Sequence, residues 1–270
     1  MSGRPALAVL ALWAALALGA DLLPLAPERI ELSRILEGPS IAAPLGFDDL
    51  GRPLLDRLIA GARVSFLIAL AVVLGAALLG TVYGMVSGWL GGPVDTVMMR
   101  VVDVFLAFPG ILLAIALAGL LGPGLDNLVL ALVAVSWVGF ARLARAQTLS
   151  VRQREHVSAA VALGTPTAAI LRRHVLPLIA APLLVEASFG VASVIIAEAG
   201  LSFLGLGVQP PQASWGVMIR DGTQYMLTAP HMVVVPGLAM TLVVLAVNSA
   251  GDRLRDRYAA RAGAAGSGAE

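Results

Sequence analysis

The sequence of 270 residues contains no cysteine and no lysine, so all eighteen of its basic residues are arginine. Without cysteine, disulfides, thiolate nucleophiles, iron–sulfur clusters and cysteine-ligated zinc are excluded. Without lysine, Schiff-base chemistry is excluded, and so is the Walker A P-loop, whose lysine contacts the β- and γ-phosphates of a nucleotide. Any ATP-driven work by this protein therefore needs another chain to hydrolyse the ATP.

Charged residues are also scarce. Only 13% of the residues are charged and 59% are apolar, with a mean hydropathy of +0.90. An average soluble domain carries about 25% charged residues, so too few are present here to cover a water-facing surface. The formal net charge of +1 gives no reason to expect nucleic acid as a partner. The composition therefore predicts a membrane protein.

Six apolar segments are candidates for membrane-spanning helices, because a helix needs about 20 apolar residues to cross the hydrocarbon core. They are residues 5–20, 64–86, 104–125, 127–147, 178–201 and 232–251. The sequence thus predicts an all-α, polytopic membrane fold. Residues 5–20 allow two interpretations, a retained first span or a cleaved secretory signal peptide, and we expect the retained span.

The placement of arginine predicts the orientation of these spans, because cytoplasmic loops carry an excess of basic residues. Six arginines lie between residues 142 and 173, and four more follow residue 251. We therefore expect a multi-pass protein of the inner membrane with both termini in the cytoplasm. The expected organisation is a first transmembrane helix (1–26), an external loop with an interfacial helix (27–63), a five-helix core (64–251) that includes a cytoplasmic loop (150–177), and a cytoplasmic tail (252–270).

The cytoplasmic loop carries the most informative pattern. Arg152–Leu163 is helix-prone, and Gly164 is a natural residue for the position just after a helix. Thr165 and Pro166 have the pattern of an N-cap and the first residue of a second short helix, and Pro177 marks the start of the fifth span. The pattern predicts a helix–turn–helix on the inner membrane face. The alternative is a basic amphipathic linker held to anionic lipid.

Seven residues of this loop resemble the EAA loop of ABC importer permeases, with serine where that motif has glutamate. They are Ser158, Ala159, Ala160, Gly164, His174, Leu176 and Pro177. In such permeases the loop docks in a groove of the ATP-hydrolysing subunit. The resemblance therefore implies that these residues couple the chain to an ATPase, and that the small Ala159–Ala160 surface rejects bulk if it lies in that groove.

A second stretch narrows the resemblance to the second permease subunit of dipeptide, oligopeptide and nickel importers. Its signature residues are Gly200, Ser202, Phe203, Leu204, Gly205, Gly207, Pro210, Pro211 and Trp215. This resemblance implies the type I ABC importer permease fold and a subunit that forms half of a pathway for peptides or a small solute such as nickel. The implied partners are a sister permease in a heterodimer, two ABC ATPases that hold ATP and Mg²⁺, and an extracytoplasmic solute-binding protein. No cofactor is expected on this chain.

Acidic residues within or beside the spans are candidates for the translocation path, because ionised side chains in a membrane face the protein interior or water. These candidates are Asp103 and Glu198. For Glu198 the sequence allows either pairing at a gate or an interfacial position, and for Glu186 we expect the interface. No metal site is expected, since the three histidines lack metal-ligand spacing: His156, His174 and His231.

Glycine and proline also carry predictions about helix packing. Two consecutive G-x-x-x-G steps in the second span let helix backbones approach closely, and we expect that contact within the chain rather than with another subunit: Gly80, Gly84 and Gly88. Pro109 and Pro236 are expected to kink or break the third and sixth spans.

Two other classes of function are weaker interpretations. A secondary transporter, or another multi-span protein without ATPase partners, is the main alternative, but the inverted repeats of such transporters are not visible in the sequence. A membrane-embedded enzyme lacks support, because Asp103 and Asp126 bracket one span at opposite ends and cannot face each other as in an aspartyl protease. We therefore expect a non-catalytic subunit.

Overall fold

The computed structural model describes residues 3–41 and 43–266, and these residues are almost entirely helical. The β pairing found in them is a single bridge between Phe47 and Pro53. The ten α-helices of this part of the chain are α1 (Gly3–Gly19), α2 (Leu54–Leu90), α3 (Gly92–Leu106), α4 (Gly110–Leu121), α5 (Leu125–Val151), α6 (Glu155–Ala162), α7 (Thr167–Ile170), α8 (Leu176–Phe203), α9 (Trp215–Thr223) and α10 (His231–Gly266).

Five helices in the described residues are long and apolar enough to cross a membrane. They cover Arg4–Leu22, Leu54–Leu90, Leu125–Val151, Thr167–Phe203 and His231–Tyr258. The sixth predicted span, residues 104–125, is not one helix. Instead α3 and α4 meet at an angle of 85°, so the count reaches six only if this bent pair is one span.

The two prolines expected to disturb helices behave differently. Pro109 lies in the break between α3 and α4, where Ala107–Pro109 leaves the helix. Its ring removes a backbone donor and disfavours helical geometry at the preceding residue, as predicted. Pro236 lies inside α10, which continues past it to Gly266. Of the expected kink or break, the structure therefore excludes the break at Pro236.

One predicted boundary needs correction. The external loop was expected to run to residue 63, with a separate interfacial helix, but α2 begins at Leu54 and continues unbroken to Leu90. The cytoplasmic tail was expected from residue 252, and its residues up to Gly266 continue α10 as helix. Residues 267–270 of that tail lie outside the described part of the chain.

The chain forms two compact units by its internal contacts. The first consists of Met1–Val72, Ala114–Leu132 and Val191–Ala250. Its aromatic core joins α1, α2 and α9: the Trp13 ring lies 5.1 Å from Phe66 and 6.2 Å from Trp215. Both indole N–H groups donate to carbonyls of α2, that of Trp13 to Ala62 at 3.2 Å and that of Trp215 to Leu58 at 3.1 Å. These bonds satisfy the polar ends of otherwise apolar side chains.

The second unit consists of Val73–Leu113, Val133–Gly190 and Gly251–Glu270. Its centre is the packing of α2 against α5 at the predicted glycine face. A Cβ atom on Gly80 would overlap the carbonyl oxygen of Trp137, and one on Gly84 would overlap that of Ala141. A Cβ on Gly88 would lie 2.9 Å from the carbonyl oxygen of Arg145. The two backbones are therefore in close contact within one chain, as the G-x-x-x-G steps predicted.

Candidate functional site

The segment between α5 and α8 begins with an arginine that fixes it to the end of α2. α5 ends at Val151, and a short turn leads into α6. In this turn Arg152 donates from Nη1 to the carbonyl oxygens of Gly88 at 2.9 Å and Trp89 at 3.4 Å. Carbonyls in the last turn of a helix lack intrahelical partners and carry partial negative charge. Arg152 therefore caps α2 and holds the start of the segment in place.

About two turns before Arg152, Arg145 on α5 forms a two-pronged ion pair with Asp95 in the first turn of α3. Nε and Nη2 of Arg145 each lie 2.5 Å from one carboxylate oxygen of Asp95, and the Ser87 hydroxyl donates to the same carboxylate at 2.5 Å. Paired bonds of this kind fix orientation as well as charge. Sequence reasoning missed this group, although an acid just after Gly91-Gly92-Pro93 is the usual signature of a helix start.

The turn after α6 has the hydrogen bonds of a Schellman motif. The Gly164 N–H donates to the carbonyl of Val161 at 2.9 Å, and the Thr165 N–H donates to that of Ala160 at 3.1 Å. Gly164 has φ of +75°, a conformation that glycine adopts without strain. The predicted helix end is therefore confirmed. A Cβ on Gly164 would meet no atom within 4 Å, so only its backbone conformation requires glycine.

The second half of the predicted helix–turn–helix differs from expectation. Pro166 occupies the N-cap position and Thr167 is the first helical residue, one place later than predicted. After α7 the chain passes through a π-helical turn at Leu171–Val175 directly into α8. Thr167–Phe203 is thus one continuous helix. Pro177 does not interrupt this helix. It lies directly after the π-turn, where the spacing of the helical hydrogen bonds changes.

The predicted coupling residues do not share one face. Ser158 and Ala159 are exposed, whereas Ala160 is 7% exposed and packs toward its own chain, as does Val157. The expectation that Ala159 and Ala160 present one small surface to a partner is therefore wrong for Ala160. Residues three apart on a helix share a face, so Val157 and Ala160 form the inner side of α6. His174 lies in the π-turn with its ring 6.2 Å from that of His156.

The exposed side of this turn is apolar. Leu163 is 85% exposed and Val161 is 51% exposed, and Ala162, Gly164 and Pro166 are exposed beside them. Ile170 and Val175 are buried behind the turn and anchor it to the unit. Exposed apolar side chains on a rigid turn are suited to insertion into a groove of another protein.

The signature stretch serves the fold of the first unit. Gly205 has φ of +80°, which lets the chain turn after α8. The Gln209 side chain donates to the carbonyls of Gly205 and Gly207, each at 3.0 Å. Ser214 caps α9 by accepting from the Val217 N–H at 3.3 Å. The other signature residues are the last residues of α8, the connection and the first residue of α9: Gly200, Ser202, Phe203, Leu204, Pro210, Pro211 and Trp215.

The acids singled out in the sequence lie in different surroundings. Asp103 on α3 is exposed, with its nearest charged partner Arg100 at 3.8 Å. Glu198 is 1% exposed and hydrogen-bonded to serine hydroxyls. Within the described residues of this chain it therefore forms no ion pair and does not lie at the surface. Glu186 lies beside α5, where a Cβ on Gly139 would be 2.9 Å from its Oε1. In residues 3–41 and 43–266 no three potential ligand side chains cluster to hold a metal ion.

Comparison with known proteins places this architecture. The family described as binding-protein-dependent transport system inner membrane component matches residues 80–263. The dipeptide transport system permease protein of Alkalihalophilus pseudofirmus is 42% identical over 224 residues, which are 83% of this chain and 74% of that protein. The nickel transport system permease protein of Escherichia coli is 41% identical over 256 residues, which are 94% of this chain and 92% of that protein.

A solved structure, that of the MetNI methionine ABC transporter in an inward-facing conformation, matches with a TM-score of 0.62. The match covers 76% of this chain and 97% of that chain at 17% identity, which establishes a shared fold. The predicted all-α permease fold is therefore confirmed. From the family match and these relatives, the chain belongs to the binding-protein-dependent transport system inner membrane components, the membrane-embedded permease subunits of ABC importers, which work with ATPase and solute-binding partners.

Proposed function

We propose that this chain forms half of the translocation pathway of an importer for di- or oligopeptides and couples to its ATPase through the turn after α6. The observation that carries the proposal is the exposed Leu163 on a turn fixed by a Schellman motif and by buried Ile170 and Val175. A rigid turn transmits displacement, and an exposed apolar side chain gains free energy when a partner covers it. These two properties are what an ATPase-coupling element requires.

The proposed assembly contains this chain, a sister permease and two ABC ATPases, with a solute-binding protein on the outer side. The apolar faces of α3 and α4 support a second permease, because large side chains there are exposed in the single chain, among them Val97, Val104, Phe108 and Leu112. The chain itself is proposed to be non-catalytic and to bind no cofactor. ATP and Mg²⁺ belong to the ATPases, since the sequence has no lysine for a P-loop.

Both termini are proposed to lie in the cytoplasm, with residues 150–177 on the same side. The arginine-rich segments support this orientation. The native sequence lacks cysteine, so single cysteines at Thr167 and Gln212 report without interference. We expect membrane-impermeant maleimide added to spheroplasts to label the Gln212 variant, and the Thr167 variant only after lysis. Labelling of both from outside would refute the orientation.

Asp103 is the proposed contact of this chain with cargo in the pathway. It is exposed and lies one turn before the break at Ala107–Pro109, where backbone outside regular helix is tolerated in a membrane only beside protein or water. Asp103→Asn should slow uptake while leaving ATPase association unchanged. Glu198 is buried in this conformation and is not open to a path.

Nickel is the second candidate cargo. The nickel permease relative aligns over 92% of its own length, compared with 74% for the dipeptide permease relative. The two candidate cargoes are distinguished by purifying the importer together with its solute-binding protein and measuring the Tm of that protein. A cargo that binds the folded protein raises its Tm, so dipeptide mixtures should raise it for a peptide importer and Ni²⁺ should raise it for a nickel importer.

The coupling proposal is tested by Leu163→Glu with Leu227→Glu as its matched control. Both leucines are highly exposed, Leu227 in the connection between α9 and α10, so neither substitution disturbs a core. We expect Leu163→Glu to insert in the membrane but to lose the ATPases on co-purification, or to retain them with transport uncoupled from hydrolysis. The Leu227 variant should behave as wild type. If the Leu163 variant transports at the wild-type rate with the ATPases bound, the segment is only a linker.

A further inference from the structure

Glu198 is a buried acid that the proposed transport function does not use. It lies on α8 in the first unit and is 1% exposed. Its Oε2 lies 3.2 Å from the Ser65 hydroxyl of α2, and its Oε1 lies 2.8 Å from the Ser202 hydroxyl near the end of α8. The Ser214 hydroxyl, at the start of α9, is the third hydroxyl beside the carboxyl group. Three separate parts of the unit therefore meet at one acid.

Among the residues that the structure describes, no basic side chain balances this acid. In the described part of the chain, every polar contact of the Glu198 carboxyl is with a serine hydroxyl. An ionised carboxylate buried without a counter-charge costs far more free energy than neutral hydrogen bonds return. A positively charged species must therefore neutralise the carboxyl group at this position.

The chemistry around the acid limits the identity of that species. In the described part of the chain no three His, Cys, Asp or Glu side chains cluster to hold a metal ion. The three serine hydroxyls at the acid are neutral and add no negative charge to that of Glu198, whereas protein sites for divalent cations combine several oxygen ligands with carboxylate charge. A proton is the species that this site can hold.

We propose that the Glu198 carboxyl is a buried proton-binding site, and that the bound proton stabilises the junction of α2, the end of α8 and the start of α9. With the proton on Oε2, the carboxyl group donates to Ser65 and still accepts from Ser202, so both hydrogen bonds are kept. Ser202 also accepts from the Val208 N–H at 3.3 Å, and Ser214 accepts from the Val217 N–H at 3.3 Å. Loss of the proton would place an unpaired charge at this junction and loosen the connection between α8 and α9.

The protonation state of Glu198 is tested directly by infrared difference spectroscopy, in which the spectra of the purified wild type and of its variants in detergent are subtracted from each other. Wild type at neutral pH should show the C=O stretching band of a protonated carboxylic acid, shifted in D₂O, and the band should be absent in Glu198→Gln. Glu155→Gln, which removes an exposed acid on α6, is the control and should retain the band. A wild-type spectrum at neutral pH with no band assignable to Glu198 would overturn the proposal.

Thermal unfolding of the same samples tests whether the protonated acid stabilises this junction. Glu198→Gln keeps a donor and an acceptor in the positions of the acid, so its Tm should equal that of wild type. Glu198→Ala leaves both serines without their partner and should melt at least about 4 °C lower. A Glu198→Gln protein as unstable as Glu198→Ala would show that the site needs the charge, and would refute the proton site. Neither measurement depends on transport.

Discussion

Alanine at Gly84 is a direct test of how closely α2 approaches α5. The added Cβ would overlap the Ala141 carbonyl oxygen and lie 2.8 Å from both the Ala144 Cβ and the Arg145 backbone nitrogen. Two of these three atoms belong to the α5 backbone, which cannot rotate away as a side chain can. The helices must therefore separate, and the contacts at Gly80 and Gly88 on the same face are weakened with them.

The magnitude follows from two opposing effects. Replacing glycine by alanine inside a helix contributes about 1 kcal/mol of stability through helix propensity. Overpacking typically costs about 1–3 kcal/mol, and a gap of 0.5–1 Å forfeits about a quarter to a half of each dispersion contact along the interface. Because the colliding atoms are fixed, the upper end of the overpacking range applies. The expected net loss for Gly84→Ala is about 2 kcal/mol.

The assay is thermal unfolding in one detergent, with Gly237→Ala in α10 and Gly119→Ala in α4 as controls. A Cβ at either control position meets no atom within 4 Å, so each control reports the propensity effect alone and should be neutral or slightly more stable. For a chain of this size a loss of about 2 kcal/mol lowers Tm by about 4–8 °C. If Gly84→Ala is as stable as the two controls, the close backbone contact between α2 and α5 does not exist.

Three further outcomes are expected. Thr148→Val should raise stability by about 1 kcal/mol in thermal unfolding, because the Thr148 hydroxyl is buried with no hydrogen-bond partner among the described residues. A loss of stability would mean that the hydroxyl has a partner. Arg145→Lys should cost about 1–2 kcal/mol, since lysine cannot make the paired bonds to Asp95, and unchanged Tm would refute the role of that geometry. Burial, and after it the charge of the neighbouring Asp48, raises the pKa of Asp49. The folded state therefore binds the Asp49 proton more tightly than the unfolded state does, and it loses stability as the pH rises through that pKa. Asp49→Asn should remove this part of the pH dependence of Tm.

Features that depend on local chain chemistry were predictable from the sequence. Gly164 ends α6 because the position after a helix takes positive φ, and the break near Pro109 follows from the missing backbone N–H. The glycine face of α2 was visible as a spacing of four residues. Each of these signals is contained in a few neighbouring residues and needs no knowledge of what packs against them.

Features that depend on distant partners were not predictable. The segment from Leu54 to Arg63 has the charges of a loop, yet it is the first part of α2. Its charges are satisfied by the preceding loop: Asp56 accepts from the Ala26 N–H at 2.9 Å, Arg57 pairs with Asp48 at 3.2 Å, and Arg63 pairs with Asp21. Ala160 was assigned to the outer surface by its resemblance to a motif, whereas the helical spacing from Val157 places it inside. Ser202 lies four residues after Glu198 on the same helix, but nothing in the sequence places Ser65 and Ser214 beside that acid.

The contacts of the second unit connect the coupling turn to the bent helix pair. α6 follows α5 through the turn at Arg152, which binds the end of α2. Arg145 on α5 grips Asp95 in the first turn of α3, and α3 ends at the break before Pro109 with Asp103 in its last turn. Under the proposed function, an ATPase that displaces Leu163 therefore also moves α3, which carries the proposed cargo contact Asp103, through the Arg145–Asp95 ion pair.

Arg145→Lys weakens this pair, so it should reduce transport per ATP hydrolysed more than it reduces ATPase binding. Equal losses of both would mean that the pair stabilises the unit without transmitting motion.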